Sequence, residues 1–90
     1  MWIEFTANGW SDFCYWCDAD ADISSRIRDL ITDIRRDPFK GLGKPEALRH
    51  QLSGYWSRRI NSEHRLIYKV SGERKELRIT VIACRYHYAP

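Results

Sequence analysis

Ile23, Ile27, Leu30, Ile31 and Ile34 repeat at helical spacing and form the clearest periodic stripe in the chain. A helix with one apolar face must lay that face on another element, so this stripe calls for a layered fold. Asp20 or Asp22 is placed to cap its start, Arg35 and Arg36 suit its C-terminal end, and Pro38 stops it. An earlier stripe of Trp10, Phe13, Cys14 and Cys17, at i, i+3, i+4 and i+7, predicts a first helix that breaks at "DADAD". Two successive helices predict a hairpin, with both cysteines of the C-x-x-C on its apolar face.

The period then changes. "FKGLGKPEALRHQLSG" is rich in Gly and Pro and reads as a loop with a helical turn around residues 45–48. "YWSRRI", "HRLIYKV" and "ELRITVIACRY" read as strands from their aromatic and β-branched content, with turns at "NSE" and "SGERK". "WIEF" reads as an edge strand. The expected fold class is α+β: two N-terminal helices packed on a mainly antiparallel twisted sheet. Ninety residues suffice for a single domain spanning 1–90.

Alternation along the strands separates the side chains. Leu66, Tyr68 and Val70 share one face, and Arg65, Ile67 and Lys69 the other. Strict alternation puts Val81, Ala83, Arg85 and His87 on one face of the last strand and Ile82, Cys84, Tyr86 and Tyr88 on its opposite. Arg58 and Arg59 must point opposite ways, so only one of them can join a given site.

Charge is unevenly distributed. Residues 1–45 carry six Lys/Arg against eight Asp/Glu, and residues 46–90 carry nine against four. An anionic partner for the C-terminal half and a set of solvated strand faces both fit that surplus. No apolar run is long enough to cross a membrane, and the N-terminus lacks the basic start and apolar stretch of a signal peptide. Three cysteines make no disulfide framework, which suits a reducing cytoplasm, and a lone C-x-x-C is a weak zinc signal.

Arg49, Arg59, Arg65 and Arg85 are candidates to meet phosphate oxygens, because a guanidinium fork binds them two at a time and keeps its charge. Tyr88 could stack on an unpaired base. The same residues could equally serve as cross-strand pairs that only stabilise a sheet. Strand scission of RNA needs a base for the 2′-hydroxyl, an acid for the 5′-oxygen, and positive charge at the phosphate. His87 has the chemistry of the acid and Glu46 that of the base. Taken singly, each also reads as ordinary: Glu46 as an early helical position after Pro45, His87 as a tail residue. His50 and His64 have weaker claims, one beside a loop leucine and the other at a turn before a strand.

The stretches G-K-P-E, L-S-G-x-W-S-R-R-I, E-H-R-L-x-Y and C-R-Y-H-Y together resemble the YoeB (Txe) branch of the RelE-type toxins of bacterial toxin–antitoxin pairs. The resemblance runs nearly end to end. It implies a RelE-like α+β fold and an endoribonuclease that enters the ribosomal A site and cuts the mRNA there. By the same resemblance Glu46 is the general base, Arg65 stabilises charge on the scissile phosphate, and His87 and Tyr88 act as general acid and base-positioning group. Arg59 is a supporting phosphate contact. Arg49 stands where the family often has lysine, which keeps the charge and changes its shape. No cofactor or metal is implied, since Arg65 and its neighbours would supply the positive charge. The implied partners are a YefM/Axe-like antitoxin, the ribosome with its mRNA, operator DNA through the antitoxin complex only, and a second copy of the chain as a homodimer. Two departures stand out: the chain continues past R-Y-H-Y with Ala89 and Pro90, and "SGERKE" looks like a longer turn than is typical.

Overall fold

A computed structural model describes residues 1–86; residues 87–90 lie outside the described part. The elements run β1 (Trp2–Phe5), α1 (Ala7–Ala19), α2 (Ala21–Arg36), β2 (Glu46–Ala47), a 3-10 turn (His50–Leu52), β3 (Tyr55–Arg59), β4 (Arg65–Glu73) and β5 (Glu76–Ala83). The five strands form one sheet in the order β1-β5-β4-β3-β2. Only β1 and β5 pair in parallel; the other neighbours are antiparallel. This is the expected class: two helices on a mostly antiparallel sheet.

α2 follows its sequence pattern closely. Asp20 caps it, its carboxylate accepting from the backbone N–H of Asp22 and Ile23, and the helix ends at Arg36 before Pro38. Ile27, Leu30 and Ile34 are fully buried against Leu66, Tyr68, Ile79 and Val81 of the sheet. Each such side chain contributes roughly 1.5–3 kcal/mol by leaving water, so this seam is the main source of cohesion.

α1 departs from its predicted stripe. Its buried residues are Gly9 and Trp16, while Trp10 is 54% exposed and Cys17 is also exposed. The helix has rotated because its N-terminal turn docks by backbone proximity: a Cβ on Gly9 would collide with the Val81 carbonyl. Thr6 caps the turn by accepting from the Gly9 N–H at 3.0 Å, and Asn8 donates to the Ile82 carbonyl at 2.9 Å. With Gly9 seated on β5, Phe13 and Trp16 follow on the buried side and Trp10 turns to the rim.

Three further expectations need correction. Residues 45–48 form no helical turn: Glu46 and Ala47 make a short strand paired with Ser57 and Trp56. The β4–β5 connection is tight, because Ser71, Gly72 and Glu73 stay in the ladder and only Arg74 and Lys75 remain between the strands. Alternation also fails in β5. Ile67 pairs with Ala83 and Tyr68 with Val81, so Ile82 is an extra residue, a bulge that reverses the phase. Val81 and Cys84 therefore both enter the core, and Ala83 lies beside Ile67 on the opposite face.

Candidate active site

The pairing that builds the sheet also builds a site on the face away from the helices. Glu46 lies opposite Ser57, Ser57 opposite Ile67, and Ile67 opposite Ala83, which makes one row across four strands. Directly opposed residues point to the same face. Two residues along, Arg59 lies opposite Arg65 and forms the next row. A carboxylate and two guanidinium groups thus share one face above Ile67, which is 1% exposed and forms an apolar floor.

An open cleft of about 360 Å³ occupies this place, lined by Lys44, Glu46, Arg49, His50, Arg59 and Arg65 around Ser57 and Ile67. Among the described residues, Glu46, Arg49 and Arg59 form no ion pair. The Arg65 guanidinium donates to the carbonyls of Asn61 at 2.9 Å and His64 at 3.1 Å, which steadies it without neutralising it. The cleft is therefore cationic with one carboxylate at its edge, a composition suited to a phosphodiester with a nearby proton to remove.

The backbone around β2 is held in sparsely populated conformations. Lys44 and His50 have φ of 52° and 59°; the only other non-glycine with positive φ among the described residues is Tyr86, at 68°. Strain of this kind persists only where surrounding structure imposes it. For Lys44 the imposing structure lies on the other face of the sheet. Arg58 is fully buried, and all five of its N–H groups have partners. Nε donates to the Tyr68 hydroxyl at 3.1 Å, Nη1 to Asp33 at 2.5 Å and the Leu42 carbonyl at 3.1 Å, and Nη2 to the carbonyls of Asp37 at 2.7 Å and Lys40 at 3.2 Å. Tyr68 in turn donates to the Pro38 carbonyl at 2.6 Å. The 37–42 loop is thereby wrapped around one side chain. The next residue, Gly43, accepts from the Arg59 N–H at 2.6 Å, and three residues later the chain reaches Glu46.

Asp33 is the acidic centre of that network. The Leu42 N–H, then Arg58 and Arg36, hold its carboxyl down at about 2. Burial pushes the Tyr68 hydroxyl above its ordinary range, which keeps it a hydrogen-bond donor. Burial, with the nearby Asp12 carboxylate, pushes the Cys84 thiol up to about 12, so Cys84 is a core residue rather than a nucleophile.

Of the residues singled out in the sequence, Glu46, Arg49, Arg59 and Arg65 come together in the cleft. Arg85 does not line it: its guanidinium lies over the Tyr15 ring of α1, 3.6 Å from the centroid, with Tyr86 on another side at 4.8 Å. The bulge in β5 and the bend after Ala83 redirect this segment, which alternation alone could not show. His87 and Tyr88 lie outside the described residues. Lys44 joins the cleft unannounced by the sequence reading, and His50 has a stronger place there than its loop context suggested.

Residues 5–88 match the profile of the YoeB-like toxin of bacterial type II toxin-antitoxin system. The chain is 50% identical over 88 residues to a toxin YoeB of Streptomyces coelicolor, covering 98% of this chain and all of that one. It is 48% identical over the same length to the toxin YoeB of Escherichia coli, again covering 98% and 100%. Among solved structures, a YoeB/ParE toxin from Agrobacterium tumefaciens superposes with a TM-score of 0.93 at 48% identity, covering 98% of this chain and 100% of that one. A YoeB–YefM complex from Staphylococcus aureus gives 0.84 at 38% identity, with 96% and 95% covered. The YafQ toxin of Escherichia coli, at 17% identity, shares the fold with a TM-score of 0.75 over 93% of this chain and 90% of that one. With profile, sequence and fold in agreement across almost its whole length, this chain belongs to the YoeB-like toxins of bacterial type II toxin–antitoxin systems.

Proposed function

We propose that the chain is a ribosome-dependent endoribonuclease that cuts mRNA in the A site and so arrests translation. Glu46 takes the proton of a 2′-hydroxyl, and the freed oxygen attacks the adjacent phosphorus. The P–O5′ bond breaks, His87 gives its proton to the departing 5′-oxygen, and the products are a 2′,3′-cyclic phosphate and a 5′-hydroxyl. Arg65, supported by Arg59 and Arg49, stabilises the extra negative charge on the phosphorane. Tyr88 holds a base by stacking. Arg85 is given no phosphate, since its guanidinium is engaged by Tyr15.

The observation that carries this reading is the convergence of Glu46 with Arg59 and Arg65 on one open face of the sheet, without mutual neutralisation. The partners follow from the same reading. A YefM-like antitoxin is the partner that the Staphylococcus aureus YoeB–YefM complex suggests, and by its charge the basic half of the chain is a fitting surface for it. A homodimer is in keeping with the YoeB dimer of the same organism. Operator DNA would be met through the antitoxin complex, and the working site is the cytoplasm, where ribosomes are. Among the described residues no helix is long and apolar enough to cross a membrane.

The test is purified protein with programmed ribosomes and mapping of mRNA ends. Wild type is expected to cut within the A-site codon and leave a cyclic phosphate. Glu46→Gln and His87→Ala should each cut about 10²–10⁴-fold more slowly, the range typical of a lost general base or acid. Arrest without cuts by the wild type would replace the nuclease with a protein that only occupies the A site.

A further inference from the structure

We propose that His64 is a positioning residue that fixes the backbone of Tyr86, from which the chain continues to His87 and Tyr88. The proposal rests on the nuclease reading above and adds to it a residue that never touches RNA.

β5 ends at Ala83, so the ladder no longer holds the chain beyond it. Other contacts take over in sequence. The Cys84 N–H donates to Asp12 at 3.0 Å, and the Cys84 carbonyl accepts from the Trp16 indole at 2.8 Å. Next, the Tyr86 N–H donates to His64 Nδ1 at 2.7 Å, while the Tyr86 carbonyl accepts from the Arg65 N–H at 3.1 Å. Both backbone groups of Tyr86 are therefore held by two consecutive residues. That carbonyl belongs to the peptide unit that continues into His87.

Tyr86 has a φ of 68°, a left-handed conformation disfavoured for a residue with a Cβ and kept only where the surroundings impose it. His64 is built to impose it. Its side chain is buried, and its ring packs edge-on against Trp16 at 4.7 Å. Its own N–H donates to Asn61 Oδ1 at 2.7 Å, and its carbonyl accepts from the Ile60 N–H at 3.0 Å. Accepting at Nδ1 requires a lone pair there, which leaves Nε2 as the ring nitrogen that can carry a hydrogen. Arg65, the next residue, sends its side chain to the cleft while its backbone holds Tyr86. The dipeptide 64–65 thus ties the phosphate site to the segment bearing the acid. A misplacement of about 1 Å of a catalytic group can cost about 10²-fold in rate, so such a tie matters to kcat.

The experiment compares His64→Phe, which keeps the packing on Trp16 but has no acceptor, with His64→Asn, whose Oδ1 can stand near the position of Nδ1. Two readouts are taken on the full-length protein: single-codon mRNA cleavage on programmed ribosomes, and hydrogen exchange of the Tyr86 amide. His64→Phe is expected to lower kcat about ten- to hundred-fold with KM near that of wild type, and to speed exchange at Tyr86. His64→Asn should recover most of kcat and the slow exchange. Wild-type kcat in His64→Phe, or equal loss in both variants with a raised KM, overturns the proposal. A wild type that cuts no mRNA overturns the nuclease reading instead. In that case the amide decides the anchor by itself: unchanged Tyr86 protection in His64→Phe overturns it.

Discussion

Arg58 and Arg59 are adjacent on β3, and the sheet passes between their side chains. Arg58 is closed off from water, with each N–H on an acceptor and its charge met by Asp33. Arg59 is exposed on the opposite face beside Arg65, with no ion pair among the described residues. The first arginine has used all its hydrogen-bonding capacity on its own chain; the side chain of the second spends none of it on the described residues. Burial of a complete network fixes geometry, whereas an exposed cluster of like charge is held in place by the fold although its members repel one another. The helix-facing side of the sheet is thus the part that makes Glu46 arrive where it does, and the open side is the part that would act.

The sharpest way to break this contrast is Arg58→Ala. It strips Asp33 of its buried guanidinium and the Asp37 and Leu42 carbonyls of their side-chain donor, and should cost about 3–5 kcal/mol of unfolding free energy in urea titrations. An effect below about 1 kcal/mol would mean that the loop closes without it. A milder attack on the same network is acid. Asp33 sits at about 2 in the folded chain against 3.8 for the ordinary group, so its contribution is complete above about pH 4 and is lost as pH falls towards 2. The melting temperature of wild type should drop through that window, and Asp33→Asn, though less stable above it, should show a flatter profile there. The smallest effect on folding belongs to Arg59→Ala. Its stability should stay within about 0.5 kcal/mol of wild type, as for surface changes generally, while RNA cleavage falls about tenfold. A large loss of stability with unchanged cleavage would reverse the roles assigned to the two residues.

How much of this could be read from the sequence depends on whether local or long-range contacts decide the element. α2 was legible because its stripe, the Asp20 cap and Pro38 all agree. Alternation also separated Arg58 from Arg59, although it could not say which was buried, since a buried arginine needs acceptors supplied by a distant loop. Glu46 was misplaced on a helical turn because proline followed by glutamate suits a helix start as well as it suits this two-residue strand. Only pairing with Ser57 and Trp56 decides it. The exposed Cys17 and Trp10 were missed because the helix is oriented by Gly9 against a carbonyl, a contact that leaves no periodic trace. The β5 bulge carries no signal either, as Ile82 is as good a strand residue as its neighbours. His64 read as a turn residue because its acceptor role depends on Tyr86, which is brought near only by the closed sheet.

The parallel pairing of β1 with β5 joins Trp2 to Arg78 and Phe5 to Val81, so the first of the described strands finds its place only beside the last of them. Among the described strands this pairing closes the longest loop, and the entropy of that closure must be overcome before β1 or the α1 start is secured. Gly9 and Thr6 also dock on Val81, and Trp16 needs the Cys84 carbonyl. Without β5, residues 1–75 lack the strand on which the start of α1 docks, and the 64–65 anchor has no Tyr86 to hold. The first strand and the start of α1 therefore depend for their place on residues some seventy positions further along the chain.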